Sequence, residues 1–235
     1  MKKTTIVTSV FVCCVVAVFV LWFLVLRNFW LVGGGIVLFG IFGGMILQFE
    51  TGFFSSKEVS VIAVLCGVSA VSRVPFAGIP SVQPCTFLIL CTGYVFGPVA
   101  GFMTGAMTAV LSNMFLGHGP WTVFQMIGWG LVGWSAGFLP KLGVKIKGLM
   151  VAGFLWGYGY GVILNLWYWT LYVYPHTLTS FLFSTGMSFW FDTLHAVGNV
   201  LFFLLLGDKV LMVLERYKKR FSFHFFSSSK EVSSG

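Results

Sequence analysis

The sequence predicts an all-α, polytopic membrane helix bundle, and three observations carry that prediction. Charged residues make up 9% of the 235 positions against 58% hydrophobic ones, the mean hydropathy is +0.96, and the apolar residues come in long unbroken runs. A soluble domain carries roughly 25% charged residues, so this chain lacks the polar surface that water requires. In hydrocarbon only helices or closed barrels satisfy every backbone group. Runs near the ~20 residues of a spanning helix are unlike the short alternating segments of a barrel.

Eight spans follow, over 4–26, 30–49, 59–73, 83–97, 99–115, 121–139, 148–170 and 187–213. The first begins after Met1-Lys2-Lys3, as a signal peptide does. Its apolar run from Ile6 to Leu26 exceeds the roughly 7–15 residues of a signal h-region and no small-x-small cleavage site follows, which predicts a retained span. The third and fourth are short for a perpendicular helix. Between them, Ser72 to Pro80 contains two prolines and a glycine and reads as a loop. Gly97-Pro98 is a tight turn between the fourth and fifth spans. The serine-rich stretch from Phe221 to Gly235 reads as a disordered tail. The chain thus divides into two N-terminal spans (1–57), a six-helix core (58–216) and a basic, serine-rich cytoplasmic tail (217–235).

Orientation follows from the basic residues. With the N-terminus inside, the inner segments hold Lys2, Lys3, Lys57, Lys141, Lys145, Lys147, Lys209, Lys230 and the cluster between Arg216 and Arg220, whereas the outer ones hold only Arg27 and Arg73. Both ends are therefore expected in the cytoplasm. The net charge of +8 serves orientation here, and no nucleic-acid partner is expected. The five cysteines (Cys13, Cys14, Cys66, Cys85 and Cys91) sit in apolar surroundings without ligand spacing, so they read as packing residues with no metal site.

Polar side chains inside a membrane usually face the bundle interior, and here they share a level. Asn113 lies near the outer end of the fifth span, and Gln125 one turn below Trp121, where the sixth begins. Asn165 is about 8 Å below the outer end of the seventh. Asp192 and His195 lie roughly 8–12 Å below the outer start of the last span, with Asn199 one turn deeper. These last three share one helix face through i, i+3, i+7 spacing. The outer loops add Arg73, Gln83, His118 and His176. Such groups either glue helices together or line a pocket open to the outside; their common depth favours the pocket.

Rows of small residues lead up to that level: Gly97, Gly101, Gly105 and Ala109 to Asn113, and Gly153, Gly157 and Gly161 to Asn165. A third row holds Trp121, Gln125, Trp129, Gly133 and Gly137. Small residues let helices approach closely, which predicts tight packing toward the cytoplasm and an open cup above. Trp121, Trp129, Trp134, Trp169 and Trp190 either line the cup or form the interfacial belt.

Catalysis fits less well. Gly133-Trp134-Ser135-Ala136-Gly137 matches the hydrolase elbow pattern, but without its strand–turn–helix context. Helix rise puts Ser135 some 21 Å deep and His195 near 12 Å, too far apart for the ~3 Å contact that proton transfer needs. No GxxxxGK[ST] loop is present, so the chain does not energise transport with its own nucleotide.

One stretch, Arg73 to Pro140, resembles the substrate-binding S component of energy-coupling factor (ECF) vitamin transporters. The resemblance rests on Arg73-Val74-Pro75-Phe76, Val82-Gln83-Pro84, Phe96-Gly97-Pro98-Val99-Ala100-Gly101-Phe102, Ser112-Asn113 and Gly117-His118-Gly119-Pro120-Trp121-Thr122-Val123-Phe124-Gln125-Met126, and with flanking helices covers about 58–215. It implies a multi-pass protein of the bacterial cell membrane that captures a vitamin from outside in a pocket covered by loops. The implied partners are a transmembrane coupling protein and two cytoplasmic ATPases, the protein toppling in the membrane to release its cargo. It implies contact with the coupling protein through small residues of the first core helix, matched by Ala63, Gly67 and Ala70. The pattern is most similar to members assigned to cobalamin or related corrinoids; a flavin or modified purine also suits a wide aromatic and amide rim. The vitamin is cargo, and no resident cofactor is expected. The substrate-binding candidates are Arg73, Gln83, Asn113, His118, Trp121, Gln125, Trp129, Asn165, Asp192, His195 and Asn199. A membrane enzyme using Asp192 and His195, and a ligand-free assembly factor, remain as alternatives.

Overall fold

In a computed structural model, residues 56–231 are described, with side chains from 57 to 220, besides the single positions Ala17 and Gly40. The two spans expected at 4–26 and 30–49 lie outside the described residues. Among the described residues seven α-helices follow in order: α1 Ser56–Arg73, α2 Cys85–Phe96, α3 Pro98–Leu116, α4 Trp121–Ala136, α5 Ile146–Tyr172, α6 Leu178–Met187 and α7 Phe189–Glu231. Single 3-10 turns occupy Val74–Phe76 and Leu139–Leu142. No strand occurs among the described residues, and the protein is an all-α membrane helix bundle.

The boundaries have local causes. Gly97 takes φ 98° between α2 and α3, where side-chain-bearing residues are strained. Pro98 follows as the first residue of α3, where its missing N–H costs nothing. Among the described residues, four segments are long and apolar enough to cross a membrane: Lys57–Phe76, Pro98–Leu116, Ile146–Tyr172 and Phe189–Arg220. Of the three shorter helices, α2 and α4 are the central ones. Nine of the 12 residues of α2 are buried, as are 12 of the 16 of α4.

Two departures from the sequence reading stand out. The stretch between the last two expected spans, read as an outer loop, contains α6, started by a Thr177–Ser180 capping box. Helix α7 also runs well past residue 213, through the segment read as a serine-rich tail, to Glu231.

The glycine rows are packing seams. A methyl group on Gly101 would stand 2.2 Å from the Gly133 carbonyl oxygen, and one on Gly105 would stand 2.0 Å from that of Trp129. Helices α3 and α4 therefore touch backbone to backbone, as small-residue rows permit. Between α5 and α7, Gly157 abuts the Ala196 backbone and Gly161 abuts the Asp192 carboxylate. Cys66, Cys85 and Cys91 are buried free thiols in these interiors.

Opposite ends of α2 identify opposite ends of the bundle. Near its start, Gln83 Oε1 accepts a hydrogen bond from Arg73 Nε. Near its finish, Tyr94 Oη donates to the Val144 carbonyl at 2.8 Å and Lys218 Nζ donates to the Val95 carbonyl. The lysine-rich 141–147 segment and the basic part of α7 thus gather at the end away from Arg73.

Candidate functional site

Most of the buried polar side chains gather toward the Arg73 end, in three clusters. The first is centred on Arg73, only 5% exposed. Its Nε donates to Gln83 Oε1 (2.9 Å), and its Nη1 donates to Ser112 Oγ and to Asn113 Oδ1 (3.2 Å). Asn113 Nδ2 donates onward to Thr122 Oγ1 (2.9 Å) and Gln125 Oε1 (2.7 Å). The guanidinium lies over the Trp129 ring at 4.5 Å, and no carboxylate is paired with it among the described residues. A buried cation is thus held by neutral acceptors and a ring face, which together replace part of its hydration.

The second cluster lies behind the first. Trp129 Nε1 donates to Thr86 Oγ1 (2.9 Å), which also bonds His195 Nε2 (2.8 Å). Tyr160 stacks on Trp129 at 4.8 Å and sits 5.2 Å from the His195 ring. Helices α2, α4, α5 and α7 are tied together here.

The third cluster borders a cavity. Asn165 Nδ2 donates to Ser188 Oγ (2.6 Å), and Ser188 Oγ donates to Asp192 Oδ2 (2.7 Å). The cavity, of about 370 Å³, lies between α5, α6 and the start of α7. Its walls include Asn165, Tyr168, Ser180, Ser184, Ser188 and Phe191, with no charged side chain among them. The Ser184 hydroxyl is buried without a hydrogen-bond partner. A buried polar atom left unpaired costs about 1–3 kcal/mol, so this oxygen is poised for a donor or acceptor.

Among the expected site residues, Arg73, Gln83, Asn113 and Gln125 are brought together, Trp129 joins them to His195, and only Asn165 borders the cavity directly. Asp192 is one hydrogen bond behind it. Asn199 is deeper and separate, donating to the Gly153 carbonyl (2.9 Å). His118 is exposed, and Trp121 packs edge-on against Trp167 at 5.7 Å. At the Asn113–Gln125 level, amides from facing helices satisfy one another. The cavity lies one helix pair away.

Thr86, Tyr160 and Ser188 were not singled out by sequence, and Ser112 only as part of the Ser112-Asn113 motif. Ser188 carried a usable signal, since it precedes Asp192 by four residues on one helical face. Asp192 and His195 bond different partners, and Ser135 accepts from Trp156 Nε1 (3.0 Å) in another part of the bundle, so the hydrolase pattern is not assembled. On α1, Ala63 is exposed and Gly67 has open space beside it, while Ala70 is 2% exposed. The small-residue stripe starts on the surface and ends inside the bundle.

Comparison with known proteins gives these features a family. A UPF0397 protein of Vibrio atlanticus is 26% identical over 186 residues, 71% of this chain and 95% of its own length. One from Aliivibrio fischeri is 25% identical over 185 residues, again 71% of this chain and 94% of its own. A third, from Aliivibrio salmonicida, is 29% identical over 93 residues, half of its length. No solved structure matches the chain. The family described as "ECF-type riboflavin transporter, S component" matches residues 53–216, the whole helical core from α1 into α7; the chain belongs to that family and is a membrane-embedded substrate-binding subunit of an ECF transporter.

Proposed function

We propose that the protein captures a flavin-like micronutrient at the Arg73 end, which faces outward, and holds it in the α5–α6–α7 cavity. The observation that carries this reading is the cavity itself. It combines aromatic walls (Tyr168, Phe183, Phe191) with neutral amide and hydroxyl groups (Asn165, Ser180, Ser184). Such a lining suits a flat, uncharged heteroaromatic ring bearing hydroxyls. At about 370 Å³ it lies at the small end of the roughly 300–1,000 Å³ range of ligand pockets, which favours a tricyclic ring over a corrinoid. The family's description as riboflavin-type points the same way, so cobalamin, favoured by the sequence pattern, yields to a flavin.

The surrounding candidates take supporting roles. Asp192 orients Ser188 and Asn165 beside the ligand. Arg73, Gln83, Asn113 and Gln125 tie the α1–α2 loop over the outer end. The basic 141–147 segment lies toward the cytoplasm by the positive-inside rule, and the exposed start of the α1 stripe, Ala63 and Gly67, meets the coupling protein of the ECF module.

The test is binding by the purified chain, read as quenching of riboflavin fluorescence, with cobalamin as competitor. Tight riboflavin binding that Asn165→Ala weakens is the expected result. Binding of cobalamin without riboflavin would return the assignment to a corrinoid.

A further inference from the structure

Helix α6 is built inside out for a helix in water. Viewed along its axis at 100° per residue, its two sides separate cleanly. One side holds Leu178, Thr179, Leu182, Phe183, Gly186 and Met187, all exposed. Leu182 is 60% exposed, Phe183 72% and Met187 72%. The other side holds Ser180, Phe181, Ser184 and Thr185, turned toward the protein, with Phe181 packed against Trp169. Ser180 Oγ accepts from Trp169 Nε1 (2.8 Å), Ser184 is buried and lines the cavity. A surface helix in water points its apolar stripe inward; this one points its hydroxyls inward and its leucines outward.

We propose that α6 is immersed in the hydrocarbon of the leaflet at the Arg73 end, with lipid acyl chains covering the Leu178–Leu182–Phe183–Met187 face. Two further observations select lipid as the occupant. The exposed face is continuous with those of the membrane-crossing helices on either side: Tyr168 and Leu171 on α5, and Trp190 and Leu194 on α7 are also exposed. No charged residue lies between Leu178 and Phe191, as hydrocarbon demands.

The backbone meets the same demand, since lipid leaves no polar group to water. At the N-terminus, Ser180 N donates to Thr177 Oγ1 and Thr177 N donates to Ser180 Oγ, each at 3.2 Å. At the C-terminus the chain re-enters a helix after one residue: Ser188 N donates to the Thr185 carbonyl, and Asp192 N donates to that of Ser188. Helix α6 therefore stands between the protein interior and the bilayer, its hydroxyls turned inward and Leu178 and Leu182 outward, while Phe183 and Met187 sit where its outer face meets the rim of the cavity. This placement is independent of which substrate the cavity takes.

Nitroxide labels at Leu182→Cys, Phe183→Cys and Met187→Cys in proteoliposomes test it, with the exposed loop position His118→Cys as the aqueous control and the unsubstituted chain as the blank. Expected is relaxation by oxygen exceeding that by a water-soluble nickel chelate severalfold at all three helix positions, and the reverse at position 118. A chelate response at 182 and 183 equal to that at 118 overturns the proposal, as does shielding from both reagents, which indicates a protein cover. A second measurement needs no substitution. A phospholipid with a carbene precursor in its acyl chain is expected to label the peptide Leu178–Trp190; adducts on α5 and α7 with none there overturn the proposal equally.

Discussion

The guanidinium of Arg73 lies 4.5 Å from the centre of the Trp129 ring, which places a formal positive charge against an aromatic face inside the bundle. A desolvated cation–π contact contributes about 2 kcal/mol, and hydrogen bonds to charged groups about 1.5–3 kcal/mol each. Arg73→Ala is expected to lower stability by about 2–4 kcal/mol net, read as thermal unfolding in detergent. Arg73→Lys should recover only part of that loss, because an ammonium cannot reproduce the planar fork. Equal melting of wild type and alanine variant would show that the network does not hold the bundle.

Thr86 joins Trp129 and His195 through one hydroxyl. Thr86→Val keeps the shape and leaves both partners unpaired, at a cost of about 1–3 kcal/mol. Thr86→Ser should restore most of it. Thermal unfolding of the pair reads this; a valine variant as stable as the serine one refutes it.

Packing at the glycine rows should divide sharply by position. Gly133→Ala puts its methyl 2.1 Å from the Gly101 carbonyl oxygen, and overpacking costs typically about 1–3 kcal/mol, so poor folding or a clearly lowered melting temperature is expected. Gly67→Ala meets nothing within 4 Å and should leave stability unchanged. Size-exclusion profiles and melting curves of the two variants make the comparison.

Gly67 offers a second readout. A bulkier Gly67→Leu should fold and bind ligand normally, yet lower the yield of complex when co-expressed with the coupling protein and its ATPases. Undiminished complex formation would move the contact elsewhere.

At the cavity, Ser188→Ala removes the bridge between Asn165 and Asp192. One hydrogen bond is worth about 1 kcal/mol, so ligand affinity should fall roughly fivefold to tenfold, while Asn199→Ala, bonded deeper to the Gly153 carbonyl, should leave affinity unchanged. Titration of both variants with riboflavin distinguishes the roles.

Much of the architecture was legible in the sequence because lipid makes the physics one-sided. The run ending at Arg73, the Gly97-Pro98 turn and the rows ending at Asn113 and Asn165 each map onto an observed helix, turn or seam. Helix α6 was hidden because Pro175, Thr177 and three serines look like a loop, and only its environment shows that the hydroxyls face inward. The polar level was legible too, but not its sharing of partners. An amide's depth follows from helix rise, whereas whether it waits for a ligand or bonds its neighbour depends on side-chain directions across helices. Asn113 and Gln125 bond each other; Asn165, at a similar level, borders free space.

The shortness of α2 decides where its flanking connections lie. Its 12 residues extend about 18 Å at 1.5 Å per residue, well under the ~30 Å of hydrocarbon. At least one of the connections flanking it must therefore run within the hydrocarbon layer, where Arg73 and Gln83 satisfy each other at one end and Tyr94 and Val144 at the other.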